Sequence, residues 1–388
     1  MTDENAVPES REIGRVVGDR QGPTLIAVAG IHGNERAGIG AARRVLATLN
    51  QRHGHLRGEF VALAGNLGAM RQGLRYRHRD MNRVWSEARI RDLETKAKTG
   101  RESELDEEDI EQLDLLAALR HAIARARGPV YLIDLHTTSA QGLPFILFGD
   151  TLKNRRFAGA IPLPTVIGLE EQLDGVLSSY MTSQGVITCA CEGGQHDDPG
   201  SVDNLEAVLL LGAESSGILG AGILTEASAA HALLERRRGT LPRVMEVVSR
   251  HAITAADRFV MEPGFNNLAR VSSDQLLAHD RHGEIRAPKD GFVLLPLYQG
   301  QGSDGFFWGR EVSPTRLRVS EVLRQMKVDR FLELLPGIRR HPTQPTQLLV
   351  KPGASKVYRK GMFQILGYRR VREGAEAVTI ERQPELPA

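Results

Sequence analysis

Short apolar runs recur along the first 210 positions, each closed by a polar or glycine-bearing turn and followed by residues at helical spacing. Residues 25–29 are apolar, 37–49 repeat with a helical period, and 60–64 are apolar again. This strand, turn, helix, strand rhythm predicts an α/β fold with a mixed, largely parallel sheet flanked by helices. Further runs at 130–135, 145–148 and 185–191 predict strands, while 202–211, 229–238 and 240–258 read as helices. Residues 86–127 are highly charged and carry Leu105, Leu113, Leu116 and Leu119 at helical intervals. They predict a solvated amphipathic helix with a hinge at 96–101 and no chemistry of its own. After about residue 262 the pattern changes to short apolar pieces broken by Gly, Asp and Pro, as in 283–296. A smaller β-rich C-terminal domain is expected there, with a helix over 319–334 and strands near 347–350 and 378–381. The organisation read from the sequence is an N-terminal extension (1–21), a catalytic domain (22–261) and a β-rich domain with tail (262–388).

Composition narrows the class. A chain of 388 residues, 41% hydrophobic and 25% charged, with 40 Gly and 18 Pro, is an ordinary globular protein. A net charge of +2 and 5% aromatic residues give no nucleic-acid footprint. The polar, acidic start lacks a secretory pattern, and the longest apolar stretches fall short of the roughly 20 residues a bilayer requires, so no membrane association is expected. Cys189 and Cys191 are too close in sequence for a framework disulfide and fit a reducing, cytoplasmic setting. A small-molecule partner is expected; homo-oligomerisation is left open.

The turns that close the apolar runs carry the chemistry. His32 and Glu35 form an H-x-x-E pair straight after the run 25–29, and His136 stands at the end of the run beginning at Val130. Two imidazoles and one carboxylate with a position left open is a ligand set used by catalytic zinc. Asp134 lies two residues before His136, hence on the same face of a strand, where it can orient the imidazole. Residues 66–85 hold five arginines, Arg75 and Arg83 among them, and the Asn82-Arg83 pair; guanidinium forks of this kind suit a carboxylate substrate. Glu192 ends another apolar run and precedes two glycines, a suitable place for a general base acting on a metal-activated water. Period two puts Cys189 and Cys191 on the face opposite Glu192, so they read as packing residues. His196 reads as a loop residue near the base.

The order H-G-N-E, N…R-Y…D-M-N-R, D-L-H-T-T-S and C-E-G-G resembles the succinylglutamate desuccinylase/aspartoacylase family, related to zinc carboxypeptidases, over about residues 25 to 210. The resemblance implies a zinc carboxypeptidase-like fold with one Zn²⁺ per chain held by His32, Glu35 and His136, and Glu192 as general base. It further implies that Arg75 polarises the scissile carbonyl, that Asn82 and Arg83 hold a substrate carboxylate, and that Tyr298 is the nearest counterpart of a tyrosine contributed by the β-rich domain. Where aspartoacylases carry a second arginine, about ten residues before the base, this chain has Thr182, so a dicarboxylate such as N-acetylaspartate is not the expected substrate. The expected activity is hydrolysis of the amide bond of an N-acylated amino acid or similar small carboxylate-bearing compound. A metallocarboxypeptidase would use the same groups but need an open groove. A non-catalytic metal- or ligand-binding protein would not need Glu192.

Overall fold

The computed structural model describes residues 3–299, 301–351, 360–374 and 377–385. The chain opens with β1 (Glu12–Val17) and β2 (Arg20–Ala29), then α1 (Ala37–Asn50), β3 (Arg57–Ala64) and α2 (Leu67–Gln72). Helices α3 (Glu87–Lys98) and α4 (Glu107–Arg125) lead to β4 (Val130–Thr138) and β5 (Phe145–Leu147). Next come α5 (Leu152–Gly159), β6 (Thr165–Ile167), α6 (Leu177–Ser183), β7 (Ile187–Gln195), α7 (Gly200–Ser215), α8 (Thr225–Arg238) and β8 (Val244–Ala252). The β-rich part contributes β9 (Val260–Met261), β10 (Ala269–Val271), β11 (Leu276–Asp280), β12 (Gly283–Arg286), β13 (Gly291–Leu294) and β14 (Asp304–Glu311). The chain continues with α9 (Pro314–Gln325), β15 (Ile338–Arg340), β16 (Gln347–Val350), α10 (Lys360–Ile365), β17 (Arg370–Glu373) and β18 (Val378–Glu381).

One mixed sheet of 11 strands, in the order β1-β3-β2-β4-β7-β5-β6-β8-β14-β13-β10, carries the site. Its central strands β3, β2, β4 and β7 run parallel, and β2 explains why. Leu25, Ala27 and Ala29 enter the core beneath α1 and α7, whereas Ile26 and Val28 enter the core beneath α4 and α6. A strand covered by helices on both faces has no polar side, which is why the sequence shows an unbroken apolar run there. A three-stranded antiparallel sheet (β12-β11-β9) and a four-stranded one (β15-β16-β18-β17) complete the β-rich part. The last of these is tied back through Asp150, which is fully buried and accepts hydrogen bonds from Arg155 (2.5 Å), Arg324 (3.0 Å) and Arg369.

Two sequence expectations fail. Residues 240–258 are not a helix: β8 occupies the middle, pairing with β6 on one edge and β14 on the other. Val244, Val247 and Val248 are β-branched residues that suit a pleated surface, and the pairing with distant β14 overrides the local helical spacing. The helix expected over 319–334 is α9 up to Gln325, then a 3-10 segment, Val328–Leu334. Lys327 separates them with φ +53°, a left-handed conformation an α-helix cannot contain. The segment 86–127 forms two helices, with Ile90, Leu93, Leu115, Leu116 and Leu119 turned inward.

Candidate active site and metal centre

The parallel register aligns the chemistry. His136 on β4 lies opposite Glu192 on β7, and Ala29, the last residue of β2, lies opposite Leu135. The loop after β2 therefore drops His32 and Glu35 beside His136 at the carboxyl ends of adjoining strands, where open α/β sheets place ligands. That loop is held close to α2. A Cβ on Gly33 would lie 2.3 Å from the backbone of Ala69 and Met70, so only glycine fits. Gly33→Ala should cost about 1–3 kcal/mol of stability and displace both ligand candidates; a thermal melt with metal analysis would show it, and an unchanged melt would refute the constraint.

His32, Glu35 and His136 are buried, and one ligand atom from each lies within 4.8 Å of the others. Glu35 sits between the rings: Oε1 is 2.8 Å from His32 Nδ1 and Oε2 is 3.0 Å from His136 Nδ1. Oε2 also accepts from the Thr137 backbone N–H (3.1 Å). Burial pushes the Glu35 carboxyl up, but His32 and His136 outweigh it and hold it well below the usual range. The far nitrogens of both rings face carboxylates: His32 Nε2 is 3.0 Å from Asp80 Oδ1, and His136 Nε2 is 3.0 Å from Asp134 Oδ2. Each ring thus has Nδ1 beside Glu35 and a carboxylate 3.0 Å from its other nitrogen, hydrogen-bonded at His32 but not at His136, where both Asp134 oxygens lack a hydrogen bond among the described residues; metal-binding imidazoles are commonly flanked by carboxylates. Asp134 was legible from its period-two spacing. Asp80 was visible only as a motif residue, because it reaches His32 across a sequence separation of 48.

Glu192 stands next to this centre. Its Oε2 is buried and makes no hydrogen bond among the described residues. An acceptor without a partner, beside two imidazoles and a carboxylate, fits a site meant to hold a cation and water. Burial raises the Glu192 carboxyl to about 8, His136 works against that, and Glu35 adds to it. Arg75 reaches in from the loop after α2, donating to Glu35 Oε1 (3.3 Å) and Asp80 Oδ2 (3.0 Å). The loop itself is pinned by α4, whose buried Glu108 accepts from the backbone N–H groups of Arg77 (2.7 Å) and His78 (2.9 Å). The charged segment given no role in the sequence therefore fixes where Arg75 points.

His32, Glu35, Arg75, Asp80, His136 and Glu192 line one cavity of about 120 Å³ that also includes Asn82, Arg83, Thr137, Glu170, Ser178 and Asp304. The Asn82 side chain spans the gap between elements: Oδ1 accepts from Leu177 N–H (2.8 Å), and Nδ2 is 3.4 Å from His136 Nε2. Arg83 faces the cavity but is shared with Asp304 Oδ2 at 3.1 Å. Asp304 also holds Arg250. Sequence reasoning missed Asp304, since nothing local marks it; it arrives through the pairing of β14 with β8. Tyr298 is not brought into the cavity, contrary to expectation. Its hydroxyl donates to the Glu262 carbonyl (2.7 Å) and accepts from Phe265 N–H (3.0 Å), while Pro296, Leu297 and Gln299 supply the wall. His196 also lines the cavity, 2.8 Å from Thr137 Oγ1. Thr182 is fully buried against Thr188 (2.7 Å) and Asn154, outside the cavity lining. Cys189 and Cys191 are free and packed in the core below α7.

Residues 21–208 match the family described as Succinylglutamate desuccinylase/Aspartoacylase catalytic domain. The chain is similar to the succinylglutamate desuccinylase of Chromobacterium violaceum, 33% identical over 149 residues, or 36% of this chain and 41% of that protein. It is 36% identical to the Serratia proteamaculans enzyme of the same name over 83 residues, 21% of this chain and 25% of that one. The matches thus span well under half the length of these curated relatives. The crystal structure of the Chromobacterium violaceum succinylglutamate desuccinylase superposes with a TM-score of 0.52 at 18% identity, covering 76% of this chain and 86% of that one. Over residues 21–208, just under half of the chain, the sequence is that of the succinylglutamate desuccinylase/aspartoacylase catalytic domain, and the fold agrees.

Proposed function

We propose that this protein is a zinc-dependent hydrolase that cleaves the amide bond of an N-acylated amino acid or a similar small carboxylate-bearing compound. The observation that carries the reading is the convergence of His32, Glu35 and His136 on one point beside a Glu192 oxygen that lacks a hydrogen-bond partner. Bound zinc would supply Lewis acidity and lower the pKa of a water toward about 7. His32, Glu35 and His136 would hold it, with Asp80 and Asp134 keeping the imidazoles oriented. Glu192 takes the proton from the attacking water and returns it to the leaving amine. Arg75, poised on the same side as Glu35, donates to the oxygen that gains charge as the carbonyl becomes tetrahedral. Asn82 and Arg83 receive a substrate carboxylate, with Arg83 sharing its charge between that group and Asp304.

The wall formed by residues 295–297 and by Asp304 and Phe307 favours a small substrate over the end of a peptide, which needs an open groove. The two free, buried cysteines and the family's small-molecule chemistry suit a cytoplasmic enzyme. Among the described residues, no helix is long and apolar enough to cross a membrane. The test is metal analysis of purified protein followed by amine-release assays across acylated amino acids. One zinc per chain and activity lost on chelation are expected; full activity in metal-free protein would overturn the reading. Arg75→Ala should lower turnover by about 10²–10³-fold without loss of metal, and unimpaired hydrolysis in that variant would remove Arg75 from the oxyanion role.

A further inference from the structure

The cavity extends beyond the groups that handle the scissile bond. Ala190 lies two residues before Glu192 on the same face of β7, about 7 Å further along the strand, and lines the same cavity with its small methyl group. Leu147, Leu169, Leu173, Val176 and Phe307 also line the cavity and pack with Ala190 in one apolar cluster. Glu170 lines the cavity beside them, 2% exposed, in the 3-10 turn that follows β6. Its Oε1 accepts from Ser178 Oγ (2.7 Å) and its Oε2 from Ser179 Oγ (2.9 Å), so each oxygen keeps acceptor capacity for a further donor. No step of the proposed reaction uses this carboxyl.

The charges along the cavity point the same way. Its lining holds the carboxylates of Glu35, Asp80, Glu170, Glu192 and Asp304 against the guanidinium groups of Arg75 and Arg83 only. Arg83 is already shared with Asp304, which also holds Arg250. A second carboxylate on the substrate would meet Glu170 with no cation to receive it. A cation would instead find a desolvated carboxylate, where charge-assisted hydrogen bonds are strongest.

We propose that Glu170 is a specificity residue: the substrate carries, on one side of the scissile amide, a short apolar arm ending in an ammonium group that Glu170 and Ser178 receive in this part of the cavity. This rests on the amide-hydrolase reading above. Glu170 touches the distal arm and not the reacting atoms.

The test uses full-length, zinc-reconstituted protein and two matched series. N-acetylornithine, N-acetylglutamate and N-acetylnorvaline place the arm on the amine side; 4-aminobutanoylglycine, succinylglycine and butanoylglycine place it on the acyl side. In one series the ammonium probe should exceed the carboxylate probe in kcat/KM by at least about tenfold, as a charged hydrogen bond implies. Glu170→Gln should raise KM for the ammonium probe by about 10–100-fold, with kcat and the methyl-terminated probe little changed. Ala190→Leu, which narrows the cavity without altering Glu170, should exclude all long arms and covers the case in which Glu170→Gln does not fold. Preference for the carboxylate probes, or an equal effect of Glu170→Gln on ammonium and methyl probes, would overturn the proposal. Calorimetric binding of the same probes to Glu192→Gln separates the two readings. Ammonium preference in binding with no turnover by the unmodified protein would sink the hydrolase reading while supporting the pocket; equal binding of all three termini would sink the pocket.

Discussion

On the proposed zinc-hydrolase reading, Glu192→Gln is expected to retain metal and to lose turnover by about 10²–10⁴-fold, the usual contribution of a positioned proton acceptor. The substitution preserves volume and removes only the capacity to take a proton. Retention of metal follows from geometry: the three groups whose ligand atoms converge are His32, Glu35 and His136, and Glu192 lies beside them with one oxygen free of partners. Metal content by elemental analysis and turnover by amine release must therefore separate. Were zinc lost together with activity, Glu192 would be a ligand and the roles would need redrawing. Were turnover to survive, the base would lie elsewhere, with His196 on the cavity wall the first alternative to examine.

The second large effect concerns stability. Burial raises the Glu170 carboxyl from an ordinary 4.5 to about 7, with the hydroxyl of Ser178 partly offsetting it and neighbouring Glu171 adding to it. A carboxyl with a raised folded-state pKa holds its proton more tightly in the folded than in the unfolded chain. Its contribution is therefore full below about pH 4.5 and is lost as pH climbs toward 7 and above. The difference between the two values corresponds to about 3 kcal/mol. Glu170→Gln cannot ionise, so the variant should be more stable than the parent by about that amount at pH 8 and nearly equal to it at pH 4. Urea melts of ligand-free protein at the two pH values measure this directly. Parallel stability curves for parent and variant would mean that Glu170 is solvated or paired far better than its surroundings indicate. A gain in stability at pH 8 alongside a loss of ammonium selectivity would mark a residue kept at a cost to the fold.

What could be read from the sequence follows the range of the interactions involved. Strands β2, β4 and β7 are buried on both faces and so appear as apolar runs, and the polar residues that end them stand out against that background. His32, Glu35, His136 and Glu192 were visible for this reason, and the structure gathers them because parallel neighbours end at a common edge. Glu170 had no such contrast: it sits in a Leu-Glu-Glu-Gln stretch that any exposed turn could contain, and its burial depends on β5 and β6 filling the space beside β7. Asp304 was equally silent, since its role comes from β14 joining the sheet through β8, the strand whose local spacing read as helix. Tyr298 illustrates the converse. A tyrosine in a suitable loop looked adequate, yet backbone groups at Glu262 and Phe265 claim its hydroxyl.

The ion pair between Arg83 and Asp304 spans 221 positions of sequence. During synthesis from the N-terminus the three ligand candidates are complete once His136 has emerged, and Glu192 follows, but the cavity wall cannot close until β14 has been made. Contacts of such separation form late, because chain closure must be met before they stabilise anything. A nascent chain thus holds all three candidate ligands well before it has the wall that closes the cavity around them.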